Sequence, residues 1–195
     1  MAPEMQAGTQ MLRISFRLLL GLAAAIVLSF GVARADDAEQ AALDRLFAEL
    51  RVAPDATAAK AIDQQIWLIW TTPADPVLRG RMNEALAARS MGDLSGAIVL
   101  LDRLVTDYPD YAEGWNQRAT MHFMLGDLDA SLADCAKVLE LEPRHFGALS
   151  GRALIYLQQD KRALALKDMA TALEIHPFLS ERRFFPELQR QMTRI

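Results

Sequence analysis

The sequence has 195 residues, 52% hydrophobic and 24% charged, with a formal net charge of −4 and one cysteine, Cys135. That balance suits one ordinary folded domain and excludes a disordered chain. A lone cysteine excludes an intramolecular disulfide, and an acidic chain without a basic stripe excludes a phosphate-binding surface, so no nucleic-acid partner is expected.

At the start, residues 11–35 read MLRISFRLLLGLAAAIVLSFGVARA. Arg13 and Arg17 precede an uncharged run from Leu18 to Phe30, and Ala33-Arg34-Ala35 supplies small residues at the two positions that signal peptidase needs open. Residues 1–35 are therefore predicted to be a secretory signal peptide, with Met11 as a second candidate start behind the over-long front MAPEMQAGTQ. The apolar run falls short of the ~20 residues that span a bilayer. A periplasmic mature protein is expected, and an uncleaved inner-membrane signal anchor is the alternative; only that alternative brings the chain to a membrane. No cysteine ends the run, which excludes a lipoprotein anchor. Removing the leader takes three of the 21 bases and one of the 25 acids, leaving 18 against 24 and a net charge of −6.

Residues 36–77 come next. Leu43, Leu46, Phe47 and Leu50 form an i, i+3, i+4, i+7 stripe over 39–51, and Ala58, Ile62, Ile66, Ile69 and Trp70 continue it over 57–70. Thr71-Thr72-Pro73-Ala74-Asp75-Pro76 then breaks the pattern. The pair reads as an N-terminal helical cap or a degenerate repeat. Trp67 and Trp70 are read as core before partner-binding anchors.

The middle of the chain repeats. Pro109, Pro143 and Pro177 are spaced by 34 residues. Gly92, Gly126 and Asp160 stand 17 residues before each, Ala97, Ser131 and Ala165 stand 12 before, and Ala85, Ala119 and Ala153 stand 24 before. Helices are predicted at 78–91 with 94–107, 112–125 with 128–141, and 146–159 with 161–175. The small residues mark where paired helices cross, since only a short side chain lets two backbones approach. Gly-Asp makes the turn, glycine taking the left-handed angle and aspartate capping the next helix. Each proline ends a second helix by pushing its predecessor out of the helical region.

These residues resemble the tetratricopeptide repeat family, whose period is 34. The middle unit fits best, with Trp115, Arg118-Ala119, His122, Ser131, Cys135 and Pro143 at the family's marked positions. The third offers Leu149, Arg152-Ala153, Tyr156, Ala165, Met169 and Pro177, and the first, the weakest, offers Arg81, Glu84-Ala85, Ala88, Ala97, Leu101 and Pro109. The resemblance implies an all-α fold, a right-handed superhelical α-solenoid of helix-turn-helix repeats at 78–111, 112–145 and 146–179. Helical capping segments at 36–77 and 180–195 flank it. In the latter, Phe178, Leu179, Phe184, Phe185 and Leu188 are too apolar to leave in water and are expected to fold back over the last unit, with Pro186 starting or kinking the final helix.

The resemblance also implies a concave groove lined by the first helix of each unit, taking a peptide or protein partner of the cell envelope. Matching positions are Arg79, Met82, Asn83 and Leu86 in unit one. Unit two offers Glu113, Asn116, Gln117, Thr120 and Phe123, and unit three Ser150, Leu154 and Leu157. Asn and Gln serve both donors and acceptors of a guest backbone. Met82 and Leu86 stand where a carboxylate clamp wants Lys and Asn, so that mode is not expected. Cys135 falls on a core position, and His122, His145 and His176 sit in different places without accompanying carboxylates at metal-ligand spacing. No cofactor, metal or catalytic group is expected. The alternatives are a self-assembling envelope protein that pairs as a homodimer and, behind it, an envelope enzyme using the histidines and Cys135.

Overall fold

The computed structural model describes residues 38–188; the predicted leader and residues 189–195 lie outside the described residues. The chain divides into two compact units at Leu43–Asp44. Of the first unit, residues 38–43 are described and helical, with Leu43 buried. The contacts described below concern Asp44 onward.

Among the described residues every regular element is a helix and no strand occurs. Helix α1 covers residues 38–51. It is followed by α2 (Ala56–Thr71), α3 (Pro76–Ser90), α4 (Leu94–Asp107), α5 (Ala112–Leu125), α6 (Leu128–Leu141), α7 (Phe146–Gln158) and α8 (Arg162–Ile175). A 3-10 segment, Ser180–Phe184, leads into a last helical turn at residues 186–188, begun by Pro186.

Local chemistry sets these boundaries. Asp55 caps α2 by accepting from the amides of Thr57 and Ala58 at 2.9 and 2.8 Å. Asp75 caps α3 and puts Pro76 at the first helical position, two residues before the expected start, where a missing N–H costs nothing. Gly92 and Gly126 take φ of 80° and 82°, and Asp93 and Asp127 cap the helices that follow. The third turn departs: Asp160 takes φ 57° without glycine's freedom, and Lys161 makes no side-chain cap.

Helices pair in sequence, α3 with α4, α5 with α6 and α7 with α8. At each crossing the small residues are buried: Ala85 and Ala97, Ala119 and Ser131, Ala153 and Ala165. The Ser131 hydroxyl donates to the Ala119 carbonyl at 2.8 Å, so its oxygen fits where alanine stands elsewhere. Met121 of α5 joins Ala85, Ala88, Ala97 and Leu101, welding the first unit to the second. Each such buried large side chain contributes about 1.5–3 kcal/mol.

A polar device repeats with the same stride. Arg118 on α5 forks onto Asp134 on α6 at 2.8 and 2.7 Å, and Arg152 on α7 forks onto Asp168 on α8 at 2.6 and 2.9 Å. Arg118 also reaches back to Asp102 on α4 at 2.8 Å, bridging two units. Glu84 and Leu100 occupy those registers in the first unit, which instead pairs Arg81 with Asp107.

The N-terminal helices do more than a cap of the first unit does. Trp70 stacks on His145 at 4.0 Å and 7°, Trp67 meets Phe146 edge-on at 5.7 Å, and Phe47 meets Phe146 at 6.4 Å. Arg144 lies over the Phe47 ring at 4.4 Å and donates to Asp44 at 2.6 Å. The Tyr111 hydroxyl donates to the Trp70 carbonyl. The reason is apolar area: the two indoles meet each other, Phe47 of α1, and the rings of His145 and Phe146 at the start of α7. Trp70 is buried, as expected for core, while Trp67 stays half-buried. At the other end Phe185 and Leu179 are buried, Phe184 remains exposed, and Glu187 ties the segment to Arg162 at the start of α8.

Candidate functional site

Two hollows adjoin along one side of α7. The first, about 250 Å³, opens between α5 and α7 and is lined by Asn116, Thr120, Phe123, Ser150, Leu154 and, from the C-terminal segment, Glu181. The second, about 550 Å³, lies between α2 and α7 and is lined by Lys60, Asp63, Trp67, Phe146, His176 and Glu181. Gly147, Ser150 and Glu181 belong to both, which makes one trough of the two.

Five expected groove residues meet there: Asn116, Thr120, Phe123, Ser150 and Leu154. The others do not line either hollow. Met82 is a correction: it is fully buried among Leu78, Leu104 and Val105, because the same helix face closes the core between α3 and α4. Leu86 packs half-buried against that core, and Arg79 donates to the Pro73 carbonyl at 3.1 Å. Asn83 is exposed and Leu157 half-buried.

Gln117 is as buried as Asn116 but lines neither hollow, and its amide joins a polar network centred on Glu113. Glu113, itself buried, accepts from Asn116 Nδ2 at 3.0 Å, from Gln117 Nε2, and from His145 Nε2 at 3.0 Å. Gln117 Oε1 accepts from Arg89 at 3.1 Å. His145 Nδ1 accepts from the Ala148 amide at 3.1 Å, so the ring proton sits on Nε2 and faces the carboxylate. The network fixes the Asn116 amide nitrogen on Glu113. Thr120 and Ser150 donate within their helices, to the Asn116 and Gly147 carbonyls, and keep lone pairs for the trough.

Of the α2 wall, sequence reasoning singled out Trp67, as core before a partner-binding anchor, and missed Lys60 and Asp63, which the apolar stripe of Ile62, Ile66 and Ile69 overshadowed. Burial, reinforced by Glu181, raises the Asp63 carboxyl above its ordinary value, while a hydrogen bond from Trp67 opposes this. Burial lowers His176, against the pull of Glu181. His176 Nε2 lies 3.9 Å from Asp63, too far for a hydrogen bond. Burial pushes the Cys135 thiol up to about 11, and no hydrogen bond or ion pair joins it to a histidine among the described residues. Those residues hold no group of three metal-ligating side chains, and none of their helices is long and apolar enough to cross a membrane.

No family model matches the chain. A TPR repeat-containing protein of Rhizobium etli is 38% identical over 135 residues, 69% of this chain and 66% of its own length, so the chain spans just under two thirds of that relative. A tetratricopeptide repeat protein from Parabacteroides merdae superposes with a TM-score of 0.50 at 20% identity, over 81% of this chain and 68% of that one. The TPR2AB domain of yeast Sti1, solved in complex with pHSP90, gives 0.51 at 17% identity, over 80% of this chain and 61% of that one. At such identities the two structures attest the fold alone. The stride, the small-residue crossings and the named Rhizobium relative lead to one conclusion: the chain belongs to the tetratricopeptide repeat family.

Proposed function

We propose that the chain is a non-enzymatic interaction scaffold that holds a segment of another protein in the trough between α2, α5 and α7. One observation carries this: five residues from two repeats, chosen as groove positions from the sequence, line a single hollow with apolar and hydrogen-bonding groups side by side. Phe123 is 38% exposed there, an aromatic surface suited to a partner's side chain. The leader pattern of residues 1–35 supports work in the periplasm after export.

A cross-linking amino acid at Phe123, introduced in living cells, is expected to capture a distinct envelope protein, whereas the same probe at exposed Asn83 captures none. Capture from Phe123 of this chain alone replaces the scaffold reading with self-assembly. Fractionation with N-terminal sequencing is expected to find the mature chain in the periplasm beginning at Asp36. An intact leader in the membrane fraction overturns the export reading in favour of a signal anchor.

A further inference from the structure

We infer that the trough selects a basic segment: an extended stretch of partner that seats an apolar side chain between α5 and α7 and delivers a Lys or Arg side chain to Asp63 and Glu181. This rests on the trough being the partner-binding surface and names the chemistry of its guest. Asp63 comes from α2 and Glu181 from the far C-terminal segment, yet both line one half-enclosed hollow. Burial disfavours the Asp63 charge, and Glu181 adds to that penalty. A cation between them relieves both effects.

The trough's own bases do not fill that role. Glu181 makes no hydrogen bond or ion pair with any described residue. Lys60 lines the same hollow from an exposed position on α2, and His176 is held toward its neutral form by burial. No arginine lines either hollow. An acidic guest would add a third negative charge to the pair, so the sign is decided. Next to this end, Phe123, Leu154 and Ile155 offer an apolar seat.

The test uses protein purified from cells expressing the full chain and three fluorescent twelve-residue peptides. Each repeats Leu-Ser-X four times, with X as Lys, Gln or Glu, so that register is not presupposed. At low salt the Lys peptide is expected to bind about tenfold more tightly than the Gln peptide, the scale of two partly shielded ion pairs, and the Glu peptide more weakly than either. D63N/E181Q is expected to bring the Lys advantage within about twofold while leaving Gln-peptide affinity unchanged. D110N/D129N removes two exposed acids elsewhere and is expected to keep the advantage, separating the site from the net charge of the chain. Circular dichroism checks that each variant is folded. Equal binding of the Lys and Gln peptides, or an advantage that survives D63N/E181Q or vanishes in D110N/D129N, overturns the inference and leaves the trough as a binding surface. If none of the three peptides binds, the partner-binding reading falls with it.

Discussion

His176 shows how one buried ring makes stability depend on pH. Its folded-state pKa lies below the ordinary 6.5, with burial as the main cause. As pH falls through 6.5 the unfolded chain takes up a proton that the folded chain refuses, so stability is level above 6.5 and is lost from there down to the lowered value. Urea unfolding between pH 7.5 and 5 is expected to show this fall. H176N keeps an acceptor for the Phe178 amide and is expected to remove that part of it. An unchanged slope in H176N would assign the fall to other groups. Asp63 runs the opposite way: its raised pKa costs stability as pH climbs above 3.8. Residues of this kind were only half legible in the sequence. The burial of Cys135 followed from its register on a core face, while Glu113 on α5 and His145, the N-cap of α7, sit 32 positions apart and meet only once those helices pack.

Among the elements, the repeated helix pairs were legible because they are specified locally: a small crossing residue and a closing proline in all three, and a turn glycine with a capping aspartate in the first two. The Arg–Asp forks obey the same stride, Arg118 with Asp134 and Arg152 with Asp168, and matching pairs 16 apart is the signal that reveals them. Their energetics are asymmetric, because Asp168 is buried. R152A leaves that carboxylate unpaired and is expected to cost about 3 kcal/mol in urea unfolding, whereas R152L/D168L recovers most of the loss. Equal losses in the single and double variants would mean that the fork stabilises by charge pairing rather than by avoiding an orphaned carboxylate. What stayed illegible was the destination of α2. Its amphipathic face announces burial but not against which repeat, and two tryptophans find their partners only in the assembled fold.

For the molecule from Asp44 onward, the trough exists because α2 is held against the start of α7. Gly147 sets that spacing: a Cβ there would meet the Trp67 ring at 2.9 Å. G147V is expected to push α2 outward, shift tryptophan emission to the red and expose the α1–α2 connection to protease, while the far-UV spectrum of the remaining helices is retained. Unchanged emission and protection would show that α2 tolerates the displacement. The exposed Asp160 lies at the far end of α7 and leaves this wall untouched.

The ion pair between Asp44 and Arg144 joins residues one hundred positions apart, and the Phe47–Phe146 contact lies beside it. A linear stack of repeats melts unit by unit from whichever end is weaker. Here Asp44, Phe47 and the two tryptophans are fastened to the junction of the second and third repeats, so loosening either side is expected to loosen the other. Synthesis delivers α1 and α2 more than seventy residues before Arg144, His145 and Phe146, so the full set of ring contacts around the two indoles closes only after that stretch has been made.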